Sequence, residues 1–225
     1  HLGVEELDRL GERIVATLAR CSEAAPSDLT QALQALNGDQ ASHIARMLGE
    51  VGSASAADLL AVLLRHQDAP VRGEALRGLG RIDEPTSHRL LVQALRDPDA
   101  DVVELAIGLV GAAKLKSATP TLLRLAGQRI LSGKAFAVRK AALAALGAIG
   151  DPGTASTLSE ILHARTWFQR MAGDDLRLTA ALALLAMARP EAREVVAAGA
   201  RSWRRDVRRA CTAALRTVAA APAKG

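Results

Sequence analysis

Two short stretches concentrate the residue types that bind partners. The stretch RSWRRDVRR, residues 201–209, holds five arginines and one tryptophan in nine positions. The stretch HARTWFQRMAGDD, residues 163–175, places Trp167 beside Phe168 in a chain that is 2% aromatic and has no tyrosine. Tryptophan and arginine are the commonest anchors of protein interfaces, and arginine also binds phosphate. These residue types predict a binding surface.

Catalytic and metal-binding clusters are missing from the sequence. The two cysteines, Cys21 and Cys211, lie near opposite ends, which is neither a disulfide framework nor a metal-ligand spacing. Cys211 falls on an apolar stripe and is predicted to be a core residue. There is no glycine-rich phosphate loop. No zinc-ligand spacing links the internal histidines, which are His43, His66, His88 and His163. From these absences together we expect no catalytic residue, no metal ion and no cofactor.

The composition predicts a helical protein with an aliphatic core. Hydrophobic residues make up 49% of the 225 residues and charged residues 24%, which excludes disorder. Alanine, leucine and valine at helical spacing favour helices over strands. The sequence shows neither a long uncharged apolar run nor a secretory signal, so a cytoplasmic protein without membrane contact is expected. The start at His1 and the end in AAPAKG suit a fragment of a longer protein.

The charges are unevenly distributed along the chain. Residues 1–112 carry 10 arginines against 17 acidic residues, a net charge of −7, whereas residues 113–225 carry 19 basic against 7 acidic residues, a net charge of +12. Such asymmetry favours an acidic partner for the basic half. The alternative is that one half complements another domain or another copy of the chain.

An internal repeat organises most of the chain. Its copies begin at residues 43, 71, 102, 138, 176 and 207, so that successive starts are 28, 31, 36, 38 and 31 residues apart. A second amphipathic segment lies between successive copies, and each repeat unit is therefore predicted to be two helices. A single unit cannot bury its apolar stripe, but stacked neighbours bury it together.

Glycines recur at the end of the repeated segment. Gly80, Gly111 and Gly147 follow the apolar stripe, where a helix is expected to bend or end. Residues 150–152, Gly-Asp-Pro, are predicted to supply a turn, an N-cap and a first-turn proline for the next helix. Small residues on the stripe let neighbouring helices approach closely, and they are Ala75, Ala106, Ala142 and Ala180.

The pattern D-x-x-V-R-x-x-A-L-x-x-L-G at residues 68–80 resembles the bacterial HEAT-like repeat that also occurs in phycobilin lyases, the PBS-lyase type. The resemblance covers residues 40–217. It implies an all-α, HEAT-like α-solenoid, an armadillo-like right-handed superhelix of about six helix pairs with the V-R helices on its concave side. Residues 1–39 are predicted to be N-terminal capping helices, residues 40–220 HEAT-like repeats and residues 221–225 a tail or linker.

One arginine recurs at the same repeat position, as Arg72, Arg139, Arg177 and Arg208. A row of phosphate-binding arginines is one interpretation. The resemblance implies the other, in which each arginine pairs with a repeat aspartate such as Asp68, Asp99 or Asp174 and ties adjacent units together, because a guanidinium can donate two parallel hydrogen bonds.

The resemblance also assigns residues to the concave face. That face is mixed in charge and almost free of aromatic side chains, which suits a groove for a peptide or a protein helix better than a small-molecule pocket. Its predicted members are Arg46, Glu74, Arg77, Arg81, Asp101, Glu104, Phe136, Lys140, Asp174, Asp175, Arg205 and Arg209.

The two long repeat intervals come from extra residues at 128–137 and 164–175. These insertions occupy the same point of consecutive units, so stacking is expected to place them side by side on one edge, with Phe136 and Trp203 in the same turn region. Trp167 and Phe168 either cover apolar surface between widened repeats or form a partner-binding patch with nearby basic residues, including Lys134. The predicted partner-binding residues are Phe136, Lys140, Arg165, Trp167, Phe168, Arg170, Trp203, Arg205 and Arg209.

These observations favour a non-catalytic protein–protein interaction scaffold whose unnamed partner is a protein, acidic where it meets the basic half. A nucleic-acid-binding module is the first alternative. The acidic half and the lack of stacking aromatics count against it. A HEAT-like lyase or glycosylase-type enzyme is the second alternative, since Trp203 with Asp206 superficially resembles the glycosylases; it would need a deep pocket containing a carboxylate.

Overall fold

The structure is a computed structural model that describes residues 17, 20, 26–128, 132–164 and 170–220. Within these residues the chain forms α-helices and two short 3-10 helices, Lys116–Ala118 and Pro152–Thr154, and no strand. The α-helices are α1 Pro26–Ala35, α2 Gly38–Val51, α3 Ala54–Leu63, α4 Ala69–Leu79, α5 Pro85–Ala94, α6 Ala100–Ala112, α7 Thr119–Gly127, α8 Gly133–Ile149, α9 Ala155–His163, α10 Arg170–Ala186, α11 Pro190–Gly199 and α12 Arg205–Ala220.

The chain divides into two compact units, residues 1–109 and residues 110–225. Residues 110–112 are uncharged, so the unit boundary coincides with the change of charge sign, and the first unit carries the net −7 and the second the net +12. Each unit is therefore a body of one predominant charge.

Both units are built from helix pairs. In the first unit α2 packs on α4, and α3 packs on α1 and α5; in the second unit α10 packs on both α8 and α12. Within the pairs, α3 contacts α4, α7 contacts α8, α9 contacts α10, and α11 contacts α12. Helices of both units thus contact the other helix of their pair. Contacts between equivalent helices of neighbouring pairs occur at α2–α4, α8–α10 and α10–α12, which is the packing expected for stacked repeats.

The core consists of small and aliphatic side chains. The four alanines predicted on the repeat stripe, Ala75, Ala106, Ala142 and Ala180, are completely buried. Among the largest fully buried side chains, almost all are leucines, such as Leu76 and Leu146. The prediction that small residues lie at the helix contacts is confirmed. None of the described helices is long and apolar enough to cross a lipid bilayer.

The recurring glycines act mainly at helix contacts. Gly80 follows the end of α4 as predicted, but Gly111 lies inside α6 and Gly147 inside α8. A Cβ atom at Gly147 would lie 2.5 Å from the Cα atom of Ala183 on α10. Gly147 lies in the last turn of α8, which ends at Ile149, and its missing side chain lets two helices approach closely.

The predicted turn at residues 150–152 is present. Gly150 ends α8 in the left-handed region, with φ at 69°, which glycine adopts without strain. The side chain of Asp151 accepts a hydrogen bond from the N–H of Gly153 at 3.1 Å, and Pro152 begins the following 3-10 helix. These three residues lie between α8 and α9.

The two insertions are partly helical. Helix α8 begins at Gly133 and α10 at Arg170, so the second half of each predicted insertion, 128–137 and 164–175, extends an inner helix. Both helices have 17 residues, compared with 11 in α4. Phe136 consequently lies in α8 and not in a turn, which corrects its predicted place. Residues 129–131 and 165–169, most of the predicted cap before α1, and the tail at 221–225 lie outside the described residues.

Candidate partner-binding surface

The repeat arginine of the first unit is a structural residue. Arg72 is buried, and its Nε and Nη2 atoms each donate a hydrogen bond of 2.8 Å to a different oxygen of Asp97. Its Nη1 atom donates to the carbonyl oxygens of His66 and Gln67 at 3.0 and 2.9 Å. The hydrogen bond with Asp97 raises the pKa of Arg72 in spite of burial. The acceptor is Asp97, which was not among the aspartates named from the sequence. The predicted pairing with a named repeat aspartate is seen at Arg177, which donates to Asp174.

The second unit contains a larger arginine network around Asp206. Arg177 is buried and donates to Asp174 at 3.1 Å and to the carbonyl oxygen of Ala164 at 2.8 Å. Its Nη2 atom also forms an ion pair with the Oδ2 atom of Asp206 at 3.1 Å. Arg204 donates to Asp206 at 2.7 Å and to the carbonyl oxygens of His163 and Ala164 at 2.6 and 3.3 Å. Burial alone would raise the pKa of Asp206, but the hydrogen bond from Arg204 and the charges of Arg177 and Arg204 lower it below its ordinary value.

All four repeat arginines share one role. Each donates a hydrogen bond to a backbone carbonyl oxygen shortly after the first helix of a pair. Arg139 donates to the carbonyl oxygen of Gln128 at 3.3 Å, and Arg208 donates to that of Ser202 at 2.8 Å. Burial lowers the pKa of Arg139. The acceptors of Arg139 and Arg177 lie 11 and 13 residues earlier in the chain, before the two insertions. The carbonyl acceptors of Arg72 and Arg208 lie at most 6 residues earlier. The geometry therefore supports the structural interpretation of these arginines over a phosphate-binding row.

Trp203 is the most exposed large hydrophobic residue of the described chain. It lies in the turn between α11 and α12, and 81% of its surface is accessible. The backbone on both sides is held in place. The Ser202 hydroxyl accepts a hydrogen bond from the N–H of Arg204 at 3.2 Å, the Ser202 carbonyl accepts one from Arg208, and the Ser202 N–H donates to Gly199 at 3.0 Å. An apolar side chain is thus presented to solvent from a fixed turn.

Exposed arginines surround Trp203 in the chain. Arg205 and Arg209 lie four residues apart on α12, which places them on one helix face. We call the set the Trp203 surface, and it consists of Arg201, Trp203, Arg205, Arg208 and Arg209, all of them exposed. Trp203, Arg205 and Arg209 were predicted from the sequence to bind a partner, and the structure brings them together in one turn and the helix that follows it.

The other predicted partner-binding residues are less well defined. On α8, Phe136 is half-buried and Lys140 is exposed one helical turn later. Arg170 begins α10, and its side chain is not described. Arg165, Trp167 and Phe168 lie outside the described residues, so both interpretations of the Trp167–Phe168 pair stay predictions. Arg204, which sequence reasoning did not single out, holds the two carbonyl groups immediately before that segment.

The concave face was predicted from positions around each V-R pair. None of its predicted members is buried. Glu74, Arg77 and Asp101 line an open groove of about 450 Å³ in the first unit, together with Asp99 and small or apolar residues of α4 and α6. Asp99 caps the start of α6 and Glu74 pairs with Arg77 at 2.7 Å, so these two carboxylates have structural partners.

Two further residues with reactive side chains, His66 and Cys211, have structural roles. His66 is buried, with one ring nitrogen bonded to the carbonyl oxygen of Leu36 at 3.2 Å and the other accepting from the N–H of Asp68 at 3.1 Å. Cys211 is fully buried, and burial raises the pKa of its thiol to about 11, which opposes thiolate chemistry. Among the described residues no group of histidine, cysteine and acidic side chains is arranged to hold a metal ion.

Comparison with known proteins identifies the repeat. A model of HEAT repeats matches residues 26–109 and 88–173, which together exceed half of the chain. No curated protein matches the sequence. The matched range starts inside the segment that was predicted to be an N-terminal cap.

The comparison with solved structures found several matches. A chain from the complex of CpcE and CpcF of phycocyanin lyase from Nostoc sp. PCC7120 is 24% identical over 84% of this chain and 75% of that chain, with a TM-score of 0.56. An engineered protein is 18% identical over 91% of this chain and 96% of that chain, with a TM-score of 0.43. Human deoxyhypusine hydroxylase in complex with glycerol is 21% identical over 92% of this chain and 96% of that chain, with a TM-score of 0.31. The first of these supports an all-α fold of stacked helical repeats.

Proposed function

The chain belongs to the HEAT-repeat proteins and is an all-α HEAT-like solenoid, and from this premise we propose that it is a non-catalytic scaffold that binds a protein partner through the Trp203 surface. Stacked repeats create an extended surface on which a partner can be held without any chemical step. The relative with the TM-score of 0.56 comes from a complex of two named proteins, CpcE and CpcF of phycocyanin lyase, which agrees with a role in association.

The exposure of Trp203 is the observation that carries this proposal. Burying an indole ring removes a large apolar area from water, and exposed tryptophans at interfaces are frequent hot spots. Trp203 stabilises no described core, since 81% of its surface is accessible. Exposed arginines flank it on both sides, and arginine is the other residue type enriched at interface centres.

The chemistry of the described residues also favours binding over catalysis. A catalytic site needs a nucleophile, acid or base whose pKa suits its task. The thiol of Cys211 is buried with its pKa raised to about 11. The carboxylate of Asp206 has a lowered pKa, accepts a hydrogen bond from Arg204 and is ion-paired with Arg177. Both groups are explained by packing and ion pairing.

Affinity capture from an extract of the native host tests the proposal. The immobilised full chain is compared with Trp203→Ala and with Val218→Ala, which removes the other exposed large hydrophobic residue of the described chain. We expect one or more proteins to be retained by the wild-type chain and by Val218→Ala and to be lost with Trp203→Ala. Retention of the same proteins by all three chains, or of none by the wild type, would overturn the proposal.

A further inference from the structure

Resting on the proposed function, we infer that the Trp203 surface binds an acidic protein segment that carries an apolar side chain. Carboxylates of that segment would pair with Arg201 and Arg205, and its apolar side chain would pack on the Trp203 indole. The inference goes beyond the scaffold role because it assigns the partner's chemistry and the contacts that recognise it.

The first reason is that Trp203 is held ready for binding. Hydrogen bonds from Arg204 and Arg208 to Ser202 fix the turn on both sides of the indole. The Arg204 guanidinium is itself held by Asp206 and by the carbonyl oxygens of His163 and Ala164. A surface that is already ordered loses little conformational entropy on binding, so more of the contact energy appears as affinity.

The second reason is that some arginines near Trp203 are already ion-paired, whereas others are not. Arg177 and Arg204 are tied to Asp206, and Arg209 lies 3.5 Å from Asp174. Arg201 and Arg205 are exposed and have no ion pair with any described residue. They lie in the unit with the net charge of +12. A partner's carboxylates can therefore pair with one cation before and one after Trp203 in the chain, and the positive charge of the unit attracts them.

The third reason is that the surface suits a protein better than a nucleic acid. Single strands are bound along grooves in which successive bases stack on several aromatic rings. Trp203 is the one exposed aromatic side chain among those that the structure describes. A short acidic segment with one apolar contact matches this set.

Fluorescence anisotropy with the full chain tests the inference. The probe is a short labelled peptide of alternating glutamate and leucine, and the comparison probes replace glutamate by lysine, or leucine by serine. We expect the glutamate–leucine peptide to bind and both comparison peptides to bind at least about tenfold more weakly. Affinity should fall as salt is added, because Arg201 and Arg205 are solvent-exposed.

Matched variants separate the surface from general charge and folding effects. Trp203→Ala and Arg205→Glu should each weaken peptide binding by about tenfold or more. Val218→Ala removes another exposed hydrophobic residue, and Arg193→Glu makes the same charge change on the exposed face of α11, so both should bind as the wild type does. Circular dichroism melts should show Trp203→Ala and Arg205→Glu to be folded like the wild type.

Two other occupants are outcomes that would overturn the inference. The surface would be a nucleic-acid-binding one if labelled oligothymidylate bound more tightly than the glutamate–leucine peptide and Trp203→Ala abolished the oligothymidylate binding. Self-association at low salt that Trp203→Ala abolishes, measured by sedimentation, would make a second copy the occupant. If the peptide does not bind but host proteins are still lost with Trp203→Ala, the partner chemistry is wrong and the proposed function stands; failure of both experiments removes both proposals.

Discussion

The Nη1 atom of Arg204 lies 2.6 Å from the carbonyl oxygen of His163, a residue 41 positions earlier in the chain. The contact joins the turn after α11 to the last residue of α9, whose carbonyl has no further helical partner. The same guanidinium holds Asp206 at 2.7 Å. Consecutive helix pairs of the second unit are thus linked by a charged hydrogen-bond network beside the Trp203 surface.

This network predicts an acid-sensitive contribution to stability. The pKa of Asp206 is lowered in the folded state, so its stabilising effect is present above the ordinary value of 3.8 and is lost as pH falls through the lowered pKa. Asp206→Asn should therefore unfold at lower urea concentration than the wild type at about pH 6, and the difference should shrink at about pH 3. Asp175→Asn, at an exposed position of α10, is the control with the same change of charge. A wild-type advantage over Asp206→Asn that is equal at both pH values would contradict the prediction.

The Arg72–Asp97 pair predicts a large loss of stability in the first unit. Both side chains are about nine-tenths buried, so Arg72→Ala leaves a buried carboxylate without its cation and should cost about 3–5 kcal/mol of unfolding free energy. Arg77→Ala removes an exposed pair with Glu74 and should cost less than about 1 kcal/mol. Urea denaturation of both variants measures the difference. Similar small losses would show that the buried pair does not hold the repeat together.

Gly147 and Gly108 predict opposite effects of the same substitution. Both lie inside helices, but a Cβ at Gly147 would overlap Ala183, whereas nothing lies within 4 Å of a Cβ at Gly108. Gly147→Ala should destabilise the protein by about 1–3 kcal/mol through overpacking. Gly108→Ala should stabilise it by about 0.5–1 kcal/mol, because alanine restricts the unfolded chain more than glycine does. Thermal melts decide the sign of each change, and a stabilised Gly147→Ala would disprove the close contact.

Cys211 predicts an alkaline limit to stability. Burial raises the pKa of its thiol from 9.0 to about 11. The raised pKa means that the folded state keeps the proton, so the stabilisation is present below pH 9.0 and is lost as pH rises towards about 11. In a Cys21→Ser background, iodoacetamide should modify native Cys211 slowly and urea-unfolded Cys211 rapidly. Fast labelling of the native chain would show that the thiol is accessible.

The sequence determined the repeated helix pairs and their apolar stripes. Residues on one stripe recur at the helical period, so Ala75 and Ala142 could be assigned to the core without knowledge of their neighbours. The turn at Gly150, Asp151 and Pro152 could be predicted for the same reason, because each residue acts on backbone within two positions of itself. The resemblance of the repeated motif to HEAT repeats was confirmed by the family match.

The tertiary structure decided the contacts between residues that lie far apart in the chain. The sequence predicted that the repeat arginines pair with aspartates, but packing of the next helix pair decides that the acceptor for Arg72 is Asp97, at 2.8 Å. The contact of Gly147 with Ala183 and the reach of Arg204 to His163 also join residues from different helix pairs. Helical periodicity predicts which face of a helix is buried, whereas these contacts depend on the translation and rotation between neighbouring helices. Trp203 was predicted from the sequence to bind a partner, but that 81% of its surface is accessible is known only from the structure.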